Sequence, residues 1–84
     1  MEVSPNPAKT LVKVKANISM EEVEKLHLYD ISGRLIKTIS VRPQDISRGV
    51  LSVDVIGVQD GLYIMQMWSK QQQKMAEQRL VIKK

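Results

Sequence analysis

The stretch that decides the fold runs from Leu26 to Ile36 and reads LHLYDISGRLI. Its first residues alternate apolar and polar side chains, a period of two that is typical of a strand with one buried face. Asp30 and Gly33 then form a turn signal, because aspartate favours the first position of a type I turn and glycine tolerates the left-handed conformation of a bulged hairpin. Apolar residues resume after Arg34. The stretch predicts a β-hairpin with strands over about 23–30 and 34–41.

The same alternation recurs on both sides of this hairpin. We predict four more strands on this basis, over residues 10–16, 51–55, 62–68 and 74–83. The last segment has high helix propensity, so a terminal helix is the rival interpretation. Its apolar residues Met75, Leu80 and Val81 fit a helical stripe poorly, which favours the strand.

Other segments interrupt the strands, among them a polar hairpin loop predicted over Ser69–Gln73. Residues 42–49 break the pattern, and Gln59–Gly61 reads as a second turn. Ser19 to Glu22 matches a helix capping box, but we expect a loop over 17–22 with at most one helical turn near Ser19. The two prolines of Pro5–Pro7 restrict the backbone and predict a stiff lead-in.

The chain of 84 residues is enough for one domain. Six short strands with close turns, and a seventh from the Pro5 segment, predict an antiparallel sandwich or barrel. We divide the chain into a lead-in over residues 1–9 and a domain over residues 10–84.

Composition excludes several classes of function. There is no cysteine, hence neither a disulfide nor a thiolate metal site. The net charge of +4 is divided evenly between the two halves of the chain, and there are only one Trp and two Tyr. A nucleic-acid-binding protein more typically clusters its basic residues and interleaves aromatics. No apolar run approaches the ~20 residues of a membrane-spanning helix.

No set of residues predicts catalysis or a cofactor. The one histidine, His27, lies between two leucines and should point to solvent, where it cannot form a metal site alone. The carboxylates Glu21, Glu22 and Glu24 read as a solvated cluster, and phosphate-binding glycine motifs are absent. We predict no enzymatic activity, no metal and no cofactor. The methionines read as core residues, and Trp68, on the face opposite Met65 and Met67, is the aromatic most suited to an interface.

Four motifs in order resemble one known family. Pro5–Ala8 reads PNPA, and the Leu26–Ile36 hairpin has the form hydrophobic-Y-D-x-x-G-R-hydrophobic. Val53–Met65 is similar to the pattern I-D-V-x-x-L-x-x-G-x-Y-x-hydrophobic, and Arg79–Lys84 is a basic and apolar tail that ends in two lysines. Together they resemble the type IX secretion C-terminal sorting domains of exported Bacteroidetes proteins. Ile56 departs from the family, which commonly has a small polar residue there.

This resemblance implies an immunoglobulin-like antiparallel β-sandwich of about seven short strands. It also implies a C-terminal signal that directs an upstream cargo domain across the outer membrane. The implied partners are the outer-membrane translocon or its shuttle and a sortase-like protease that removes the domain from many family members. The implied location is the periplasm in transit, then the cell surface or the medium.

A terminal strand with apolar residues followed by lysines offers edge hydrogen-bonding groups and a free end to a receptor. We therefore predict a recognition surface at the tail and at two corners, made of Gly33, Arg34, Gly61, Tyr63, Leu80, Val81, Ile82, Lys83 and Lys84. Deleting residues 81–84 should leave cargo in the periplasm. Gly33, Gly61 and Tyr63 have a folding role first, whereas Lys83 and Lys84 contribute little to a core.

Two other classes of function remain open. A cell-surface adhesion or carbohydrate-binding module would need an exposed aromatic platform, for which Trp68 and Tyr29 are the only residues at hand. A homotypic module would pair two copies through an exposed edge strand to form a homodimer.

Overall fold

The computed structural model describes residues 1–16 and 19–84. Residues 17 and 18 of the predicted loop lie outside this part of the chain. Seven strands follow one another along the chain: β1 (Glu2–Ser4), β2 (Leu11–Lys15), β3 (Val23–Asp30), β4 (Leu35–Ser40), β5 (Leu51–Asp54), β6 (Gly61–Ser69) and β7 (Lys74–Ile82). A one-turn 3-10 helix (Met20–Glu22) precedes β3, and a short helix α1 (Pro43–Arg48) joins β4 to β5.

The strands form two antiparallel sheets. One has the order β1-β2-β5 and the other the order β4-β3-β6-β7. This arrangement confirms the predicted all-β, immunoglobulin-like sandwich. The alternative prediction of a terminal helix is wrong, because the residues from Lys74 to Ile82 form strand β7 and pair with β6.

The alternation of apolar and polar residues in the sequence corresponds to an alternation of buried and exposed side chains in the strands. In β2, Val12 and Val14 are fully buried, whereas Lys13 and Lys15 are exposed. The inward side chains of both sheets meet in one core, to which each large apolar residue contributes about 1.5–3 kcal/mol. Its largest fully buried members are Leu26, Leu28, Leu51, Met65, Met67, Leu80 and Ile82. Met20 is also buried and Met75 packs against the core, which confirms the methionines as core residues.

Helix α1 was missed by the sequence analysis, which predicted only a break there. Pro43 occupies the start of the helix, where its missing N–H is not needed. The buried carboxylate of Asp45 accepts the Arg42 backbone N–H at 2.9 Å, and Gly49 ends the helix at φ 69°. Six residues are too few for a helical period to be visible in the sequence.

Three further details refine the predictions. The turn near Ser19 is confirmed, since its hydroxyl accepts the Glu21 backbone N–H at 3.2 Å and caps the 3-10 helix. The seventh strand is β1, which precedes Pro5. The second turn is a hydrogen-bonded turn over 55–58, and Gly61 begins β6. The boundary at residue 10 stays a prediction, although Val3 and Ala8 are part of the core.

Strand direction gives the sandwich two ends. The first, which we call the motif end, contains the turn over 30–34, the loop over 55–60 and the residues that flank them, 5–8, 61–63 and 79–84. The other, the far end, contains the 3-10 helix, α1 and the β6–β7 hairpin loop. Within the described residues, no helix is long and apolar enough to cross a bilayer.

Candidate functional site

The carboxylate of Asp30 organises the first corner of the motif end. Its Oδ1 accepts the Ser32 hydroxyl at 2.6 Å, the Ser32 backbone N–H at 3.0 Å and the Arg34 backbone N–H at 2.9 Å. The Ser32 hydroxyl, followed by the Arg34 amide, lowers the pKa of Asp30 below its ordinary value. Gly33 lies at φ +90°, a conformation that side chains disfavour. The corner therefore has one shape, and it presents the exposed side chains of Ile31 and Arg34.

Tyr63 builds the second corner. Its hydroxyl donates to the Gln59 carbonyl at 2.6 Å, and its ring is buried. This bond to a backbone carbonyl four residues upstream resembles the tyrosine corner of immunoglobulin-like domains. Tyr63 also pairs in register with Asp30 of β3 on one side and Leu80 of β7 on the other. Tyr63 therefore lies between the first corner, which it meets at Asp30, and the tail, which it meets at Leu80.

The lead-in covers the edge of β7. The Asn6 side-chain amide donates to the Arg79 carbonyl at 3.2 Å, and its oxygen accepts the Val81 N–H at 2.9 Å. Ala8 continues the contact: its N–H donates to Val81 O at 2.7 Å and its carbonyl accepts the Lys83 N–H at 2.9 Å. We call this four-bond contact the edge clip. The prediction that the tail offers free edge groups is wrong for these four groups.

Lys84 is also held. Its backbone N–H donates to the Asp60 carboxylate at 3.2 Å. Its ammonium group donates to the carbonyls of Val58, at 2.6 Å, and of Ile56. The Lys83 residue is exposed, and its backbone N–H is part of the edge clip. The predicted free end is therefore tied to the loop over 55–60, and the second corner and the tail form one surface.

All the predicted site residues thus meet at the motif end. Arg34 and Tyr63 line a shallow pocket of about 260 Å³ together with Ile36 and residues 57–59. Leu80 and Ile82 are buried in the core, whereas Val81 is partly exposed.

Sequence reasoning missed an apolar rim on this surface. The exposed large apolar side chains of the described residues all lie at the motif end: Leu11, Ile31, Leu35, Ile56, Leu62 and Val81. Ile31 is 75% exposed and Ile56 is 64% exposed. The sequence does contain one signal for the rim: Ile31 and Ile56 each stand inside a turn, where polar residues are usual.

The remaining candidates lie on the outer face of the four-stranded sheet. His27 lies on this outer face, as predicted, and is partly buried there, because its ring meets those of Tyr29 and Trp68 edge-on at 5.7 and 5.9 Å. Burial, then the charge of Lys25, lowers the pKa of His27. The three rings do not form a flat platform. In the described part of the chain, no group of three acidic or histidine side chains could hold a metal ion.

The fold and this surface together define a small β-sandwich whose four motifs, scattered along the chain, meet at one end. Residues 2–83 match the model of the secretion system C-terminal sorting domain family. The chain belongs to this family, and it is a C-terminal sorting signal for type IX secretion. It is thereby associated with the type IX machinery and an upstream cargo, with export across the outer membrane toward the cell surface or the medium. Searches of curated proteins and of solved structures found no match, and no finding supports the adhesion alternative.

Proposed function

We propose that the export machinery binds this domain at the motif end, and that the apolar rim supplies the contact. The convergence of four separate motifs with the exposed large apolar side chains at one end carries this proposal. Contiguous exposed apolar patches mark interaction sites, and Leu62 and Val81 of the rim are paired in register. The motif end also contains Lys83 and Lys84, and Arg34, whose guanidinium pairs with the Asp30 carboxylate at 3.3 Å. The two lysines of this end suit a partner surface that is apolar with acidic groups at its border.

In this proposal the domain serves as a binding target for the export machinery and has no catalytic centre of its own. Its partners are the outer-membrane translocon or its shuttle, reached from the periplasm, and a sortase-like protease that acts on the lead-in side. The edge clip limits which groups of the tail a receptor can contact. Because Asn6 and Ala8 occupy the backbone groups from Arg79 to Lys83, a receptor meets side chains there and not an open strand edge.

An edge-strand homodimer stays a prediction. The edge clip covers the last third of β7, so β4, at the opposite edge of the same sheet, is the better candidate for pairing two copies.

Substitutions at the rim test the proposal more cleanly than deletion of residues 81–84. Such a deletion removes the buried Ile82 and would unfold the domain. We would fuse residues 1–84 to a reporter in a type IX-competent bacterium and replace Ile31 and Ile56 by serine. Both side chains are exposed, so the melting temperature should stay within a few degrees while the reporter accumulates in the periplasm.

The matched control replaces two exposed residues of the far end, Glu21 and Gln71, by serine, and its reporter should still reach the surface. Normal export of a folded Ile31→Ser, Ile56→Ser variant would refute the role of the rim. Equal loss of export in both variants would refute it as well.

A further inference from the structure

Three basic side chains converge on a cleft on the outer face of the three-stranded sheet. Lys13 and Lys15 are two residues apart in β2 and point to the same face, with Cα atoms about 6.7 Å apart. Arg48, from the last turn of α1, reaches the same cleft. Ser52, which pairs directly with Lys13, and Val50 complete its lining.

The basic side chains of the cleft form no ion pair within the described part of the chain. None of the three ion pairs of the described residues includes Lys13, Lys15 or Arg48. The nearest acidic side chain by register is that of Glu2, opposite Lys15 in β1, and it forms no ion pair with it. Three positive charges beside the one carboxylate of Glu2 leave the cleft with a net positive charge, which favours a bound anion.

We propose that this cleft binds a phosphate or sulfate group. Lysine ammonium groups and a guanidinium are the side chains that proteins use for such oxyanions, and the Ser52 hydroxyl can add a donor. The volume of about 290 Å³ lies at the small end of ligand sites, which suits a compact charged group.

The lining of the cleft contains no aromatic residue on which a nucleobase could stack, so single-stranded nucleic acid is the weaker occupant. The cleft also lies on the far-end side of the sheet, where β2 ends and β5 begins. The inference is therefore independent of the role proposed for the motif end.

The test is a titration of the ¹⁵N-labelled domain with inorganic phosphate at about 20 mM salt, followed by NMR. We expect saturable shifts of the amides of Lys13, Lys15 and Ser52, with affinity about tenfold weaker at about 200 mM salt. The cleft variant Lys15→Gln, Arg48→Gln should bind about tenfold more weakly than the unmodified domain.

A matched variant, Lys9→Gln with Lys70→Gln, lowers the net charge equally at exposed sites elsewhere and should retain the affinity. Shifts that do not saturate, or equal weakening in both variants, would overturn the proposal as a general counter-ion effect. If the cleft variant fails to fold, the phosphate titration of the unmodified domain still tests the proposal. Saturable amide shifts confined to the cleft would support the site, and shifts spread over the whole surface would overturn it.

A second arm identifies the source of the group by adding vesicles of phosphatidylglycerol. Vesicle binding that inorganic phosphate displaces would place the group on a lipid and support the site. Vesicle binding without any saturable phosphate effect would overturn the compact site in favour of a diffuse membrane contact.

Discussion

Replacing Asn6 by alanine is expected to open the edge of β7 without changing the core. Asn6 is exposed, and its side chain makes two hydrogen bonds, to Arg79 O at 3.2 Å and from Val81 N–H at 2.9 Å. Both backbone groups lie on a strand edge, where water can replace the lost partner. The substitution therefore isolates the contribution of one polar side chain to the contact between lead-in and tail.

The magnitude follows from these two bonds. A protein hydrogen bond contributes a net ~0.5–1.5 kcal/mol, and exposure favours the lower half of that range. We expect the free energy of unfolding to fall by about 1–2 kcal/mol. In a domain of this size, each 1 kcal/mol lowers the melting temperature by about 4–8 °C. This is a large share of the ~3–5 kcal/mol that a core this small supplies.

Urea denaturation measures the loss, and amide hydrogen exchange locates it. The Val81 amide should lose protection in the Asn6→Ala variant, whereas the Lys83 amide keeps its partner, the Ala8 carbonyl. Asn6→Asp is a matched control. Above its pKa, near ~3.9, the new carboxylate can accept from Val81 but cannot donate to Arg79. Below that pKa the protonated acid can do both.

The deficit of Asn6→Asp relative to the unmodified protein should therefore shrink in acid, and that of Asn6→Ala should not. An unchanged free energy of unfolding in Asn6→Ala, with Val81 still protected, would refute the edge clip.

Two other predictions concern the corners of the motif end. Tyr63→Phe removes the donor to the Gln59 carbonyl and should lower the free energy of unfolding by about 1 kcal/mol; an unaltered urea midpoint would contradict the bond. The hydrogen bonds to Asp30 lower the pKa of its carboxyl group in the folded protein. The ionised carboxylate therefore stabilises the native state fully above its unfolded pKa, near ~3.9. This stabilisation is lost as the pH falls through the lower pKa of the folded state. The melting-temperature gap between the unmodified protein and Asp30→Asn should therefore narrow below about pH 4, and a gap that stays constant would show that Asp30 is not the titrating group.

The sequence predicted most of the strands because their signal is local. Alternation in β2 involves the residues of one strand, and the turn signal of Asp30 and Gly33 involves the residues of one hairpin; side-chain burial follows the same period of two. The resemblance to the sorting domains then supplied the architecture and the function. The residues of the first corner were found from their turn chemistry, whereas Gly61 and Tyr63 of the second corner were found from the family motif, since the turn predicted over 59–61 lies at 55–58.

The missing features depend on partners that are distant in the sequence. The amide of Asn6 bonds to residues 73 and 75 positions away, and the ammonium group of Lys84 reaches carbonyls 26 and 28 positions away. No pattern in one sequence specifies such pairs. The apolar rim was missed for a related reason: Ile31 and Ile56 each stand alone inside a turn, and only the fold brings the two turns to the same end of the domain.

The direction of the edge clip has a mechanical consequence. Ala8 and Ile82 form a parallel bridge, so a pull on the chain before Ala8, against a hold beyond Ile82, slides the two segments past each other lengthwise. The four hydrogen bonds of Asn6 and Ala8 then carry the load together and must break together, whereas a peeling geometry would break them one at a time. The contact between the lead-in and the tail therefore resists a lengthwise pull on the chain before Ala8 better than it would resist peeling.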